Sequence, residues 1–203
     1  MKRSFLFFGF AVVAAAQTPA MKPGLYAVFD TSLGGFTAQL FEKETPVTVR
    51  SFVALAQGNK PWLDPKTKTM VSRPFYQNLT FHRVLPEVMI QSGSISGQSA
   101  DNCGVRIPDE FMPGLQFDRA GKLAVANTGE PNSGGCQFFI TEDVMREWNG
   151  KYTIFGQVVA GQDVVHAINH LPSRAERPDK PAILNGVTIM RVEKPAKGKT
   201  KSR

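Results

Sequence analysis

Residues 25–41 read LYAVFDTSLGGFTAQLF, two runs of alternating apolar and polar character, 25–32 and 36–41, on either side of Leu33-Gly34-Gly35. Glycine takes positive φ without steric penalty, so the pattern predicts a β-hairpin and an antiparallel start to the chain. Thr45 then stands at a helix N-cap position with Pro46 in the first turn; Val49, Phe52, Val53 and Ala56 fall on one face, and Gly58 closes the segment. Residues 59–74 are polar, carry Pro61, Pro65 and Pro74, and read as a surface loop. Further strands are predicted at 80–84, 88–91, 122–127, 136–141, 152–159 and 186–192. A second short helix over 162–169 carries Val164, Val165 and Ile168 and ends before Pro172. About eight strands with two helices and no repeat predict a mainly β fold, a closed eight-stranded antiparallel β-barrel capped by two α-helices.

The chain has 203 residues, 42% of them apolar, enough for one domain with a real core. Its formal charge of +7 sits at the ends: Lys2 and Arg3 supply +2, residues 191–203 supply +5, and 17–190 are neutral. That distribution argues against nucleic acid as a partner. Lys2 and Arg3 precede an apolar run from Phe5 to Ala16, and Ala14-Ala15-Ala16 offers the small residues a signal peptidase reads. Residues 1–16 therefore read as a cleaved signal peptide, 17–23 as a short linker, 24–193 as the folded domain and 194–203 as a basic flexible tail. The expectation is an exported protein, periplasmic or secreted, with no membrane span after cleavage and no feature that requires an oligomer, hence a monomer.

Chemistry-bearing residues are few. Cys103 and Cys136 are the only cysteines, and in an oxidising compartment they are either a disulfide or two unrelated small buried residues. A zinc site is not expected: His82, His166 and His170 are the only histidines and none stands at ligand spacing from a Cys pair, while His166 and His170, one helical turn apart with no acidic neighbour, read as helix-surface residues. G-x-S-x-G and phosphate-binding glycine motifs are absent. Two polar residues stand out among apolar ones. Arg83 interrupts Phe81-His82-Arg83-Val84-Leu85, and Gln137 sits in Cys136-Gln137-Phe138-Phe139-Ile140. A buried glutamine must be hydrogen-bonded, so Gln137 is structural glue or a substrate clamp.

The segments Phe81-His82-Arg83-Val84-Leu85-Pro86, Met89-Ile90-Gln91-Ser92-Gly93, Ile107-Pro108-Asp109-Glu110-Phe111, Ala126-Asn127, Pro131 through Ile140 and Thr153-Ile154-Phe155-Gly156 resemble, in order, the motifs of the cyclophilin-type peptidyl-prolyl cis-trans isomerases. The resemblance spans residues 24–193 and implies an enzyme without cofactor or metal that rotates X-Pro bonds in extended or unfolded proline-containing polypeptides. It implies Arg83 as the catalytic arginine and Gln91 as its positioning partner. Met89, Val88, Ala126, Asn127, Gln137, Phe139, Trp148 and Tyr152 fall on substrate-binding positions, with Met89 and Phe139 lining a proline pocket and the Asn127 backbone gripping the substrate.

Departures from the family pattern are local. Val88 replaces a pocket phenylalanine, Tyr152 stands at a histidine position, Trp148 is one place beyond the usual tryptophan, and Ser94 follows Gly93 where an acid is common. These leave a second reading, a low-turnover proline-peptide-binding or chaperone module of the same fold. Family geometry also places Cys103 near Cys136, where a bridge would pin one side of the groove.

Overall fold

The computed structural model describes residues 21–194; the expected signal peptide, residues 1–16, the linker residues 17–20 and tail residues 195–203 lie outside the described residues. The hairpin forms as β1 (Gly24–Thr31) and β2 (Gly34–Leu40). Its turn is Ser32-Leu33, and Phe29 pairs with Phe36 across it, their rings stacked at 4.5 Å. Helix α1 (Pro46–Gln57) follows. Thr45 is at its N-cap, but the side chain does not cap: its hydroxyl donates back to the Phe41 carbonyl. The open N–H groups of Val47 and Thr48 donate instead to the Glu110 carboxylate, at 3.1 and 2.8 Å. A carboxylate there also complements the helix dipole, so a residue 62 positions away does what the local sequence does not.

At the other end of α1, Gly58 adopts φ 76°, and a Cβ there would lie 2.7 Å from the Pro74 nitrogen. Residues 59–74 are therefore packed closely onto the helix end, and they are not the plain surface loop expected. They contain a hairpin, β3 (Trp62–Asp64) and β4 (Thr69–Val71). Trp62 is fully buried against Phe75, donates from Nε1 to the Arg73 carbonyl at 2.9 Å and carries the Arg73 guanidinium over its ring. The prolines and charges concealed one large apolar anchor, and burial of its area holds the segment down.

The remaining strands are β5 (Leu79–Thr80), β6 (Arg83–Leu85), β7 (Met89–Ser92), β8 (Lys122–Val125), β9 (Phe138–Thr141), β10 (Ile154–Ala160), β11 (Ser173–Arg174), β12 (Arg177–Pro178) and β13 (Ile183–Val192), with helix α2 (Gln162–Asn169) after β10. Nine of the strands form one antiparallel sheet in the order β5-β13-β1-β2-β10-β8-β9-β7-β6. The two edge strands, β5 and β6, are halves of a single segment interrupted at Phe81-His82. The sheet thus curls until its edges meet through one kinked strand. Counting that strand once recovers the expected eight; the hydrogen-bonded ladder itself is not strictly closed.

One face of the curled sheet encloses the main core, where Phe29, Phe52, Tyr76, Phe138 and Phe155 interlock with ring centroids 4.8 to 6.2 Å apart. Helix α1 packs on β13, and α2 packs on β2, β6 and β7. Arg191, counted with the C-terminal charge, belongs to β13 and is held by a two-pronged bond to Glu42 at 2.9 and 2.7 Å.

Candidate active site

Strand register builds the site. Arg83 pairs with Gln91 across β6 and β7, and Gln91 pairs with Phe139 across β7 and β9, so the three form one cross-strand row. Leu85, Met89 and Thr141 form the next row on the same face. Side chains alternate along a strand, so Val84, Ile90 and Ile140 point the other way into the main core, where all three are fully buried. The outward rows carry a second, smaller apolar cluster of Met89, Phe117, Ala124, Phe139 and Ile154. Above it lies an open groove of about 550 Å³.

Arg83 enters this groove with its orientation set by a chain of amides. Arg83 Nη1 donates to Gln91 Oε1 at 3.2 Å, and Gln91 Nε2 donates to Gln137 Oε1 at 2.8 Å. Gln137 Nε2 donates to the carbonyls of Ser99 and Asp101 at 3.0 and 3.1 Å. Carbonyls only accept, so the far end of the chain fixes the polarity of both glutamines and leaves an acceptor facing the arginine. Gln137 lines the groove, and its amide is engaged by protein partners at both its oxygen and its nitrogen. On its other side the guanidinium donates from Nε to Glu176 Oε2 at 2.5 Å. Glu176, between β11 and β12 with φ 66°, is a partner the sequence did not announce, since Arg174-Ala175-Glu176-Arg177 reads only as a charged turn.

The facing wall is the loop of residues 94–106. Ser94 donates its hydroxyl to Asp101 Oδ2 at 2.6 Å and accepts from the Gln98 N–H, while the Ser96 N–H also reaches Asp101 at 2.7 Å. Burial pushes the Asp101 carboxyl up, but these donors outweigh it and hold the group below its usual value. Asp101, seven residues on from Ser94, thus closes this loop. Cys103 and Cys136 are joined by a disulfide, with Cα atoms 6.3 Å apart, tying this wall to the segment that carries Gln137 into β9. Gly93 makes room for the crossing: at φ 92°, a Cβ would lie 2.5 Å from the Cys136 carbonyl oxygen. That oxygen accepts from the Tyr76 hydroxyl at 2.9 Å, and complete burial pushes Tyr76 far above the usual phenol range, so it remains a donor.

Met89 and Phe139 lie in the groove together with Ala126, Asn127, Trp148 and Tyr152. The Asn127 side chain is engaged, donating to the Lys151 carbonyl at 2.9 Å, whereas its backbone N–H and C=O make no hydrogen bond among the described residues. Trp148, despite its displaced position, stands edge-on to Phe139 at 5.3 Å, and Tyr152 does the same at 5.1 Å. Phe117, fully buried and unremarked in sequence, stacks beneath Phe139 at 6.0 Å. Val88 is the exception among the expected substrate contacts. It is outside the groove lining and packs half-buried against the smaller apolar cluster.

His82 is buried, and neither ring nitrogen has a hydrogen-bond partner. Desolvation holds it below the ordinary histidine range, so it is neutral and unsuited to acid–base work at neutral pH. What remains is one fixed cation beside an apolar, aromatic-walled groove with free backbone groups on its rim. Such a site can hold a proline and an extended peptide and place a donor against one amide; it contains no activated nucleophile.

The family described as cyclophilin type peptidyl-prolyl cis-trans isomerase/CLD matches residues 26–193. Peptidyl-prolyl cis-trans isomerase B of Streptomyces anulatus is 38% identical over 173 residues, covering 83% of this chain and 98% of that protein. Peptidyl-prolyl cis-trans isomerase A of Mycobacterium tuberculosis is 39% identical over 166 residues, covering 80% and 91%. Among solved structures, a Cryptosporidium parvum cyclophilin-type isomerase crystallised in the presence of the dipeptide Ala-Pro superposes with a TM-score of 0.71 at 26% identity, covering 82% of this chain and 99% of that one.

Proposed function

This chain belongs to the cyclophilin-type peptidyl-prolyl cis-trans isomerases, and from that premise we propose that Arg83 is the residue that accelerates rotation of the X-Pro bond. The barrier is about 18–20 kcal/mol and arises from amide resonance; no covalent bond is made or broken. A catalyst must therefore bind the twisted amide more tightly than the planar one. Twisting localises the lone pair on the proline nitrogen and makes it an acceptor. A guanidinium, always charged and rigidly forked, favours that state when held against it. About 4 kcal/mol of differential binding gives a thousandfold acceleration.

The observation that carries this reading is the amide chain from the Ser99 and Asp101 carbonyls through Gln137 and Gln91 to Arg83. It presents the arginine in one orientation beside Met89 and Phe139, which hold the proline ring, while the Asn127 backbone pairs with the extended substrate. A proline-peptide isomerisation assay tests it: Arg83→Ala loses most of the acceleration while still binding peptide. Equal turnover by the two proteins overturns the assignment.

The biological role we infer is assistance to proline-limited folding of exported proteins. The Lys2-Arg3 start with its apolar run supports export, and the Cys103–Cys136 disulfide supports an oxidising compartment. No helix among the described residues is long and apolar enough to cross a membrane. Fractionation of cells producing the full chain, with N-terminal sequencing of the mature protein, checks the cleavage after Ala16.

A further inference from the structure

His166 and His170 do have acidic neighbours, supplied by other elements. Glu142, just past β9, places Oε1 2.6 Å from His166 Nδ1, and Glu87, in the turn between β6 and β7, places Oε1 2.8 Å from His170 Nε2. The two imidazole rings stack with centroids 3.9 Å apart. One ligand-capable atom from each of Glu142, His166 and His170 lies within 4.8 Å of the other two. Around a tetrahedral zinc ion, ligand atoms stand about 3.3 Å apart, so small side-chain movements suffice to bring these three onto one ion. We propose that Glu142, His166 and His170 form a binding site for one divalent transition-metal ion of the zinc class.

Two features point to a cation rather than to a chance surface cluster. The Glu142 side chain is only 10% exposed, and its second oxygen, Oε2, is buried without any hydrogen-bond partner. A carboxylate withdrawn from water needs a full counter-charge, and a hydrogen bond on one oxygen is an incomplete substitute. His170 is also enclosed by acceptors: Nδ1 faces the His166 carbonyl at 2.9 Å and Nε2 faces Glu87. Both contacts favour positive charge at this ring, and a divalent ion supplies it, shared among Glu142 and both rings once a His170 nitrogen turns from its acceptor to the ion. Two imidazoles and one carboxylate suit zinc, nickel or copper better than magnesium or calcium, and they leave a position for water or for Glu87, which is exposed and free to turn.

The site joins three pieces of the fold. Its ligands come from α2 and the end of β9, while Glu142 N–H donates to the Val88 carbonyl at 2.8 Å. Fully buried Asn169, on α2, donates to the Leu85 and Met89 carbonyls and accepts from Glu87 N–H. An ion there would clamp α2 to the strands behind the groove and stabilise the folded chain by mass action.

Untagged full-length protein, stripped with a chelator, is titrated calorimetrically with Zn²⁺, and with Co²⁺ for its visible absorption. The expected result is one equivalent per chain, a raised melting temperature, and at least a tenfold loss of affinity in each of His166→Asn, His170→Asn and Glu142→Gln. Isomerase turnover at the wild-type level certifies that each variant is folded, and at least one folded variant is needed for the comparison; the wild-type Co²⁺ spectrum decides if none is. Wild-type protein that binds neither ion, or folded variants with unchanged isotherms, overturns the site.

Discussion

Arg83 and Glu176, 93 residues apart in sequence, form an ion pair with Nε and Oε2 at 2.5 Å, and both side chains keep contact with water, at 35% and 47% exposure. The glutamate takes the Nε edge of the guanidinium while Gln91 takes Nη1, so two acceptors fix its plane and leave Nη2 without a partner among the described residues. An exposed pair of this kind contributes at most about 1 kcal/mol to stability. Glu176→Ala should therefore leave the urea midpoint nearly unchanged. It should lower kcat by about two- to tenfold with KM preserved, since positioning and not substrate contact is lost. An unchanged kcat would show that Gln91 alone suffices.

Gln137 offers a sharper test of the amide chain. In Gln137→Glu the side chain can still accept from Gln91 but can no longer donate to the Ser99 and Asp101 carbonyls, which would then face a buried carboxylate oxygen. The desolvation and lost bonds should cost about 3 kcal/mol and free the 94–106 wall. Turnover should fall with stability. Wild-type values for both would mean that the chain does not hold the loop.

The disulfide closes a loop of 33 residues that contains Ala126 and Asn127. Reduction, or the pair Cys103→Ala and Cys136→Ala, should lower unfolding free energy by about 2–4 kcal/mol. Arg83, Gln91, Met89 and Phe139 are held by strand pairing outside that loop or beyond its end, so turnover should survive within about fivefold at temperatures where the protein stays folded. Chemical denaturation under oxidising and reducing conditions, with turnover measured in parallel, checks both halves.

Turnover and stability should depend on pH differently. Arginine does not titrate in the working range, so kcat/KM should stay flat between about pH 6 and 8. His82 is depressed by burial, so below about pH 6.5 the unfolded chain binds a proton that the folded chain refuses. Stability is fully present above that value and falls as pH drops through it. His170, raised in the folded state, acts with the opposite sign, so the contribution of His82 is read as the difference between wild type and His82→Gln. That difference should grow against the wild type from pH 7 to pH 5; a constant difference would remove the assignment.

Much of the fold was legible because its causes are local. The alternation in residues 25–41, the Pro46 start and the Gly58 stop specify their elements through neighbouring residues, and those elements form where expected. Arg83 stood out as a charge among apolar residues, Gln91 and Phe139 fell on family positions, and the structure sets the three in one row. The hairpin at 62–71 was hidden because prolines and charges outnumber Trp62, whose burial decides the segment. Val88 was expected in the groove and is not among the residues that line it; it stands in the turn before β7 and packs on the smaller apolar cluster.

By itself, then, the sequence determined which segments extend, which coil, which face of each is apolar, and which residue types are available for chemistry. Tertiary structure alone decided the pairings: Glu110 as the cap of α1, Glu176 on Arg83, Asp101 closing the Ser94 loop, Glu142 and Glu87 on the two histidines. The reason is range. Propensity and periodicity act over a few residues and are written in order along the chain, whereas hydrogen bonds and charge pairs act over about 3 Å of space. That proximity exists only after the sheet has curled.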